Sequence, residues 1–413
     1  MSNNIETVSA APRSVIEHLV PKGMVLENVE LSIVIPALNE QITVGEFVDW
    51  CKEGLSRAGV AGQILIVDSS TDETPNIVLE HGGEVLRTPK RGLGRAYIDA
   101  IPYVRGKWLL LGDADLTYDF RELEPFIKAF RDGAEFIMGS RFKGTIVPGA
   151  MPPLHRYFGT PVTTWMLNVI YGSSFSDIHC GMRGVTMEAF KRMQLKSQAW
   201  QYASEMIIKS LHLELKTTEV PIKFHKDREG RVSHLRRTGW QGAWYAGWIT
   251  LQAMFTYGAD FFLFKPGMVL LIIGALGSAT LFNGPVHVAG LGFSLHWMLL
   301  FLVAFLVGLQ LCLTGILAKV LYDSEQKRVQ TWTRFFGFTQ AVLISCLLFL
   351  TGLVCGWGLL AEYLWSNLRL PDFLGVPSYR AVAGVGFILS SFLYFTFALV
   401  FNALVESRRV PNA

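Results

Sequence analysis

Asp113 and Asp115 stand one residue apart where the apolar run of KWLLLGDADLTYD gives out, and two carboxylates so spaced can hold a divalent cation. In an extended strand, side chains two positions apart point the same way, so the pair converges at the strand's end. Mg²⁺ and Mn²⁺ take carboxylate oxygens and commonly share them with substrate phosphates, which makes this chemistry for a phosphorylated ligand. The alternative is an acidic turn that caps the following helix. A D-x-D alone does not separate the two readings.

Such a pair acts only if neighbouring strands bring other polar groups to the same edge. LSIVIP, at residues 31–36, is a short apolar run rich in β-branched residues, followed by Asn39, Glu40 and a helical segment through Ser56. QILIVD, at 63–68, ends on Asp68 and gives way to SSTDETPNIVLEH, which supplies N-cap residues and a helix. A third short strand, at 83–87, leads into PKRGLGRAYIDAI. There Gly92 and Gly94 allow backbone N–H groups to approach a phosphate, and Lys90, Arg91 and Arg95 add positive charge; a plain glycine turn is the alternative. Beyond Asp115 come a helix over 120–130 and a strand, AEFIMGSR, that ends on Arg141. Alternation of strand and helix implies a mostly parallel α/β sheet, whose ligands sit beyond the carboxyl ends of its strands. Asp68, Asp113, Asp115 and Arg141 then line one edge, where a nucleotide diphosphate and its metal fit.

In order, the chain reads IVIPALNE, ILIVDSSTDET, RGLGRAY, LGDADLTYD, GSRF, AMPPLHRYFG, SDIHCGMR, YASEMIIKS and VPIKFHKDREGRVSHL. Over residues 31–240 this series resembles the family 2 glycosyltransferases of the dolichyl-phosphate mannose synthase type. The resemblance implies a GT-A (Rossmann-like) fold and transfer, with inversion, of one hexose from a nucleotide-sugar to a polyprenyl or dolichyl phosphate. The sugar is mannose or glucose, linked to GDP or UDP. Carried over by motif, Pro36, Asn39, Glu40 and Asp68 contact the nucleotide, Asp68 at the base, with Lys90 and Gly94 beside them. Asp113 and Asp115 serve the diphosphate and a Mg²⁺ or Mn²⁺ cofactor. Arg141, Arg156, Arg228 and Ser233 hold the acceptor phosphate. The catalytic candidates are Asp115, Arg141 and Asp177, the last either an alternative base or a structural, sugar-contacting acid. Glu205 in YASEM matches an acidic position with no assigned role.

The chain departs from the pattern in two places. Relatives often read R-x-G-x-S-K-L near the acceptor loop, whereas REGRVSHL at 228–235 has one extra residue and His234 in place of Lys. The usual D-D-G-S is here Val67, Asp68, Ser69 and Ser70, which keeps only the second aspartate.

Of the 413 residues 51% are hydrophobic and 17% charged, and the charges are unevenly spread. No Asp, Glu, Lys or Arg falls within 267–318, 335–361 or 381–405. A bilayer crossing takes about 20 predominantly apolar residues, so these runs predict four transmembrane helices. Their expected bounds are 261–282, 295–321, 335–360 and 381–405, with a break at NGPVHVAG after the first. The domain plan is then an N-terminal extension (1–30), a GT-A domain (31–236), an interfacial amphipathic stretch (237–260), the membrane helices (261–405) and a cytosolic tail (406–413). In the interfacial stretch Trp240, Trp244, Trp248, Leu251 and Phe255 recur at helical spacing after Arg236 and Arg237, which suits a membrane surface. An ordinary core helix is the alternative.

Residues 1–30 contain no apolar signal core, so the N-terminal part is expected to stay in the cytosol. Lys327, Arg328, Arg334, Arg408 and Arg409 flank the runs on that side, while 283–295 has no Lys or Arg, in keeping with the positive-inside rule. The expectation is an integral protein of the inner membrane or its equivalent, with a cytosolic catalytic domain; a homo-oligomer is compatible with it. Five cysteines without paired spacing suggest neither disulfides nor zinc, and a net charge of +3 gives no argument for nucleic acid. His155, His179, His212 and His225 form no ligand cluster, and Cys180 reads as a small packed residue. Two other functions compete. A processive polysaccharide synthase grips its chain with Q-x-x-R-W, which is missing here. A non-catalytic lipid-carrier transport subunit is expected to carry intramembrane charges, which these runs lack.

Overall fold

Strand β2 (Leu31–Ala37) is apolar along its length, and Leu31, Ile33, Val34 and Ile35 are buried, so both of its faces are covered. A computed structural model of the chain describes residues 16–24, 27–231, 239–288, 290–322, 327–366, 368 and 375–409. They fall into two units, Met1–Thr256 and Tyr257–Ala413.

The first unit is built on an eight-stranded sheet. Besides β2 it contains β1 (Glu17–Leu19), β3 (Gly62–Asp68), β4 (Glu84–Arg87), β5 (Trp108–Leu111), β6 (Phe136–Ile146), β7 (Arg183–Thr186) and β8 (Thr217–Phe224). From β2 the chain steps through β3 and β4, then returns to β5 on the other side of β2, all in parallel. That reversal leaves a crevice beyond the carboxyl ends of β2 and β5, the usual place for a ligand in an open α/β sheet. Ala37 stands opposite Asp68, and Val34 opposite Leu111, so the polar residues that follow these strands emerge at one edge.

Beyond β5 the sheet is mixed. β7 runs antiparallel to both β5 and β6, which turns β6 back to the direction of β5. Leu111 and Met138 both face Arg183, and Arg141, just past Met138, therefore reaches the same edge as Asp113. β6 does not stop at Arg141 but continues to Ile146 alongside β8. At the opposite edge β1 pairs antiparallel with β4. This part of the expected extension thus belongs to the sheet, and His18 Nε2 meets Glu84 Oε2 at 2.8 Å.

The crossover helices are α1 (Val44–Ala58), α2 (Thr74–Glu80), α3 (Leu93–Ala100) and α4 (Glu124–Arg131), followed by α5 (Thr160–Tyr171), α6 (Met187–Met193) and α7 (Tyr202–His212). α1 forms because Val44, Phe47, Val48, Cys51 and Leu55 recur at helical spacing and are buried. It ends at Gly59, whose φ of +60° suits a residue without Cβ. In α8 (Gly239–Tyr257) Ile249, Ala253 and Met254 are buried while Trp248 and Phe255 are exposed. Tyr171 Oη donates to Met254 O at 2.9 Å.

The second unit is helical, with α9 (Lys265–Leu281), α10 (Leu295–Tyr322), α11 (Lys327–Phe336), α12 (Phe338–Trp365) and α13 (Val376–Arg409). Four stretches are long and apolar enough to cross a membrane: Asp260–Leu281, Leu295–Leu321, Phe338–Trp365 and Val376–Ser407. The expected break is a small hairpin, β9 (Val286–Val288) and β10 (Leu291–Phe293), turning at Gly290 with φ +82°. Two boundaries differ from expectation. The third stretch starts at Phe338, because Gly337 takes an extended ψ of 145° and separates it from the basic helix α11. The fourth starts earlier and includes Arg380, whose guanidinium bonds Asn283 Oδ1 at 3.1 Å; a long cationic side chain near a helix end keeps its head polar in this way.

Glycines let two helix pairs in this unit approach closely. A Cβ at Gly274 would lie 2.3 Å from Phe305 N, and one at Gly308 the same distance from Leu271 N. Across α12 and α13, a Cβ at Gly352 would lie 2.7 Å from Gly384 O. Small residues at such crossings permit the backbone contact that holds membrane helices together.

Candidate active site

Asp113 and Asp115 lie in the turn after β5, not in the strand. Leu116 takes a left-handed φ of +60°, and Asp115 Oδ1 accepts from Thr117 N at 3.0 Å and Thr117 Oγ1 at 2.6 Å. The bonded turn, and not the pleat of a strand, brings the two carboxylates together. It caps no helix, since α4 begins only at Glu124. Burial and the charge of Asp115 push the Asp113 carboxyl up to about 7; Arg231 and Arg183 oppose this, and Glu40 adds to it. Burial also raises Asp115, against Arg231 and the Thr117 bonds. Asp113 Oδ2 lies over Gly181, where a Cβ would come within 2.6 Å of it. Gly181 is therefore part of the site, and its place in the midst of SDIHCGMR gave no sign of that.

Two crowded carboxylates, their charge only partly offset by Arg231 and Arg183, suit a hard cation. Among the described residues no three His, Cys, Asp or Glu side chains gather as a metal cage. The ion that fits here is one shared with ligand phosphates, which is how Mg²⁺ is usually held.

Arg231, which the motif reading passed over, stands beside the pair. Its Nε and Nη2 bond Glu40 Oε2 and Oε1 at 2.7 and 2.6 Å, and its Nη1 lies 3.2 Å from Asp227 Oδ1 and 3.4 Å from Asp115 Oδ2. Arg228, the expected phosphate ligand, instead pairs with Glu46 at the exposed surface. Ser233 lies outside the described residues, as does His234.

On the nucleotide side the structure brings some expected residues together and turns others to packing. Asn39, at a left-handed φ of +57°, ties the ends of β2 and β3: its N donates to Ser70 Oγ at 2.7 Å and its Oδ1 accepts from Thr71 N at 2.9 Å. Pro36 is the penultimate residue of β2, beside Val67. Asp68 is fully buried and ion-paired with Arg87; burial raises its carboxyl, against Ser70 and Arg87. Lys90 is exposed. Gly92 and Gly94 are covered by the 197–199 segment, for Cβ atoms there would lie 2.4 Å from Gln198 O and 2.2 Å from Ser197 O. Arg91 and Arg95 both bond Asp99, at 2.7 and 2.8 Å. This turn is close packing, not an open phosphate cradle. Glu205 explains the cover, because its carboxylate accepts from Lys196 N, at 3.0 Å, and from Ser197 N, at 2.8 Å.

Arg141 and Asp177 form a buried fork. Nε donates to Oδ2 at 2.7 Å, Nη2 to Oδ1 at 2.8 Å, and the Arg141 backbone N to Oδ2 at 3.1 Å. Burial works against the guanidinium's charge, but the Asp177 carboxylate outweighs it. Both Asp177 oxygens are thereby taken up by Arg141. Burial pushes the Cys180 thiol up to about 12 and lowers His179 to about 4, so neither a thiolate nor an imidazolium is at hand.

Arg156 begins a different surface. From Leu154 through a wide π turn (His155–Gly159) and along α5, the apolar side chains Leu154, Tyr157, Phe158, Val162, Trp165 and Val169 are exposed in turn after turn. Thr160, Thr164, Leu167 and Ile170 are buried on the other side. The Arg156 guanidinium lies 5.5 Å from the Tyr157 ring centre.

Asp119 closes the far side of the site's turn. Arg121 bonds both of its oxygens at 2.7 Å, and His225 Nε2 lies 3.1 Å away. Burial raises this carboxyl, but the Arg121 and His225 bonds outweigh that and bring it down to about 2 from 3.8. A lowered folded value stabilises above the unfolded one and is lost as pH falls through the folded one. Asp119→Asn is expected to cost about 2 kcal/mol at pH 7, with the gap to the native protein closing as pH falls from about 4 to about 2. Denaturant unfolding across that range is the check; a gap that does not change with pH would contradict it.

A model of the family described as Glycosyl transferase family 2 matches residues 32–194. The low-salt glycan biosynthesis hexosyltransferase Agl6 of Haloferax volcanii is 35% identical over 373 residues, 88% of either chain. A dolichyl-phosphate hexose transferase of the same organism is 26% identical over 212 residues, 49% of this chain and 86% of its own. A solved glucosyl-3-phosphoglycerate synthase from Mycobacterium tuberculosis, in complex with Mn²⁺, UDP-glucose and phosphoglyceric acid, aligns at 17% identity with a TM-score of 0.43, over 55% of this chain and 80% of its own.

Proposed function

Because the chain belongs to glycosyl transferase family 2, we propose that it moves one hexose, with inversion, from GDP-mannose or UDP-glucose to a polyprenyl or dolichyl phosphate. The observation that carries the lipid acceptor is the exposed apolar stripe headed by Arg156, since Tyr, Trp and an adjoining guanidinium suit a layer of lipid headgroups. The dolichyl-phosphate hexose transferase relative supports the same choice.

The donor's diphosphate is assigned to the crevice beyond β2 and β5, between Glu40 and the Asp113 and Asp115 turn. A Mg²⁺ or Mn²⁺ held by Asp113 and Asp115 would supply positive charge to the departing nucleotide. The chain's own residues do the rest. A phosphomonoester loses its second proton with a pKa of about 6, so at neutral pH the acceptor arrives mostly as the dianion, a nucleophile that needs aiming, not deprotonation. That agrees with Asp177 being spent on Arg141. Arginine presents planar, paired donors to phosphate oxygens, and Arg141 and Arg156 are the ones assigned to the acceptor. We place the first unit in the cytosol, on the support of the basic helix α11 and of an opposite loop, 283–295, without Lys or Arg.

The test is mass spectrometry of products from purified protein, excess nucleotide-sugar and a short polyprenyl phosphate. One added hexose is expected. A ladder of longer glycans points to a polymerase, and no product with any donor points to a non-catalytic carrier subunit.

A further inference from the structure

The least expected contact in the first unit is a guanidinium lodged among carboxylates. Arg231 follows Gly230, which turns the chain at a left-handed φ of +82°, and Arg228, Glu229 and Gly230 are exposed. Yet the Arg231 side chain is only 10% exposed, drawn in by Glu40, Asp227 and Asp115. Glu40, Asp227 and Asp115 all lie within 3.4 Å of this guanidinium, and its charge also offsets the crowding of Asp113.

We propose that Arg231 is a placeholder: it neutralises the carboxylates while the donor is away, and gives up Asp115 when a divalent ion and a diphosphate arrive. This rests on the metal reading above. The exclusion is electrostatic and steric. A divalent ion takes its oxygens at about 2.0–2.2 Å, and a guanidinium nitrogen 3.4 Å from Asp115 Oδ2 stands in the space and field that ion needs. The released guanidinium then faces diphosphate oxygens, which it can bind as a fork in the way it now binds Glu40. Arg231 is thus a positioning residue for the cation site.

The experiment is Mn²⁺ binding to the full chain in detergent, without nucleotide, read from the electron paramagnetic resonance of free Mn²⁺. Removing a group that keeps a site closed raises its apparent affinity by the reciprocal of the open fraction, so Arg231→Gln is expected to bind Mn²⁺ roughly ten-fold more tightly. Arg231→Lys, which keeps the charge, should bind as the native protein does. In the native protein, Mn²⁺ alone should also hasten tryptic cleavage after Arg231, a readout that needs no variant to fold. Unchanged or weaker binding in Arg231→Gln, with Asp115→Asn still abolishing it, overturns the placeholder and leaves the metal site standing. Mn²⁺ binding that Asp115→Asn does not weaken overturns both.

Discussion

Asp115→Asn is expected to lose sugar transfer by a factor on the order of 10²–10³, the usual cost of removing a group that stabilises charge on a leaving atom. The substitution should leave the turn intact. An Asn side-chain oxygen can still accept from Thr117 N and Oγ1, the two bonds that hold Asp115 in place. What disappears is the charge of Asp115, and with it the anchor proposed for the metal and the repulsion that, after burial, raises Asp113. The measurement is nucleotide release with donor and acceptor across a Mn²⁺ titration, beside thermal unfolding to show that the fold survives. Near-native turnover in the variant, or in native protein with excess chelator, would remove the metal from the mechanism.

The Arg141–Asp177 pair carries the largest expected effect on stability. Both side chains are nearly sealed from water, at 10% and 0% exposure. Arg141→Ala leaves the Asp177 carboxylate buried and unpaired, and breaking such a pair costs roughly 3–5 kcal/mol. Asp177→Leu alone should be similarly harmful, since it strands the guanidinium. The double replacement, Arg141→Met with Asp177→Leu, should regain most of that loss while transfer to the acceptor stays absent. Denaturant unfolding of the three variants, set beside transfer rates, tests this. Losses below about 1 kcal/mol in the single variants would mean that water reaches the pair and that its strength is that of a surface bridge.

How far the sequence foretold this arrangement depends on where each signal resides. β2, β3 and β5 were legible because unbroken apolar runs, bounded by Asn, Asp and Gly, follow from burial on both faces. Asp113 and Asp115 could be picked out from type and spacing, although the bonded turn that joins them could not. β1 and β7 are three and four residues long and owe their existence to the strands beside them, so no local pattern announces them. Gly92 and Gly94 looked open to a phosphate because nothing nearby in the chain reveals that a segment a hundred residues on, pinned by Glu205, lies over them. Arg228 and Arg231 are equally arginine; the left-handed turn at Gly230 sends the second inward, and that is a matter of tertiary geometry. In the second unit hydropathy located all four stretches long and apolar enough to cross a membrane, but the rule of charge-free runs clipped Arg380 from the last.

The glycine contacts between α9 and α10 bear on where an isoprenoid tail can run. A crossing with no room for a methyl group at Gly274 or Gly308 has none for a branched hydrocarbon chain, which is bulkier than a methyl. The tail of the polyprenyl phosphate proposed as acceptor would therefore find no room at this crossing and would run along the outside of the pair.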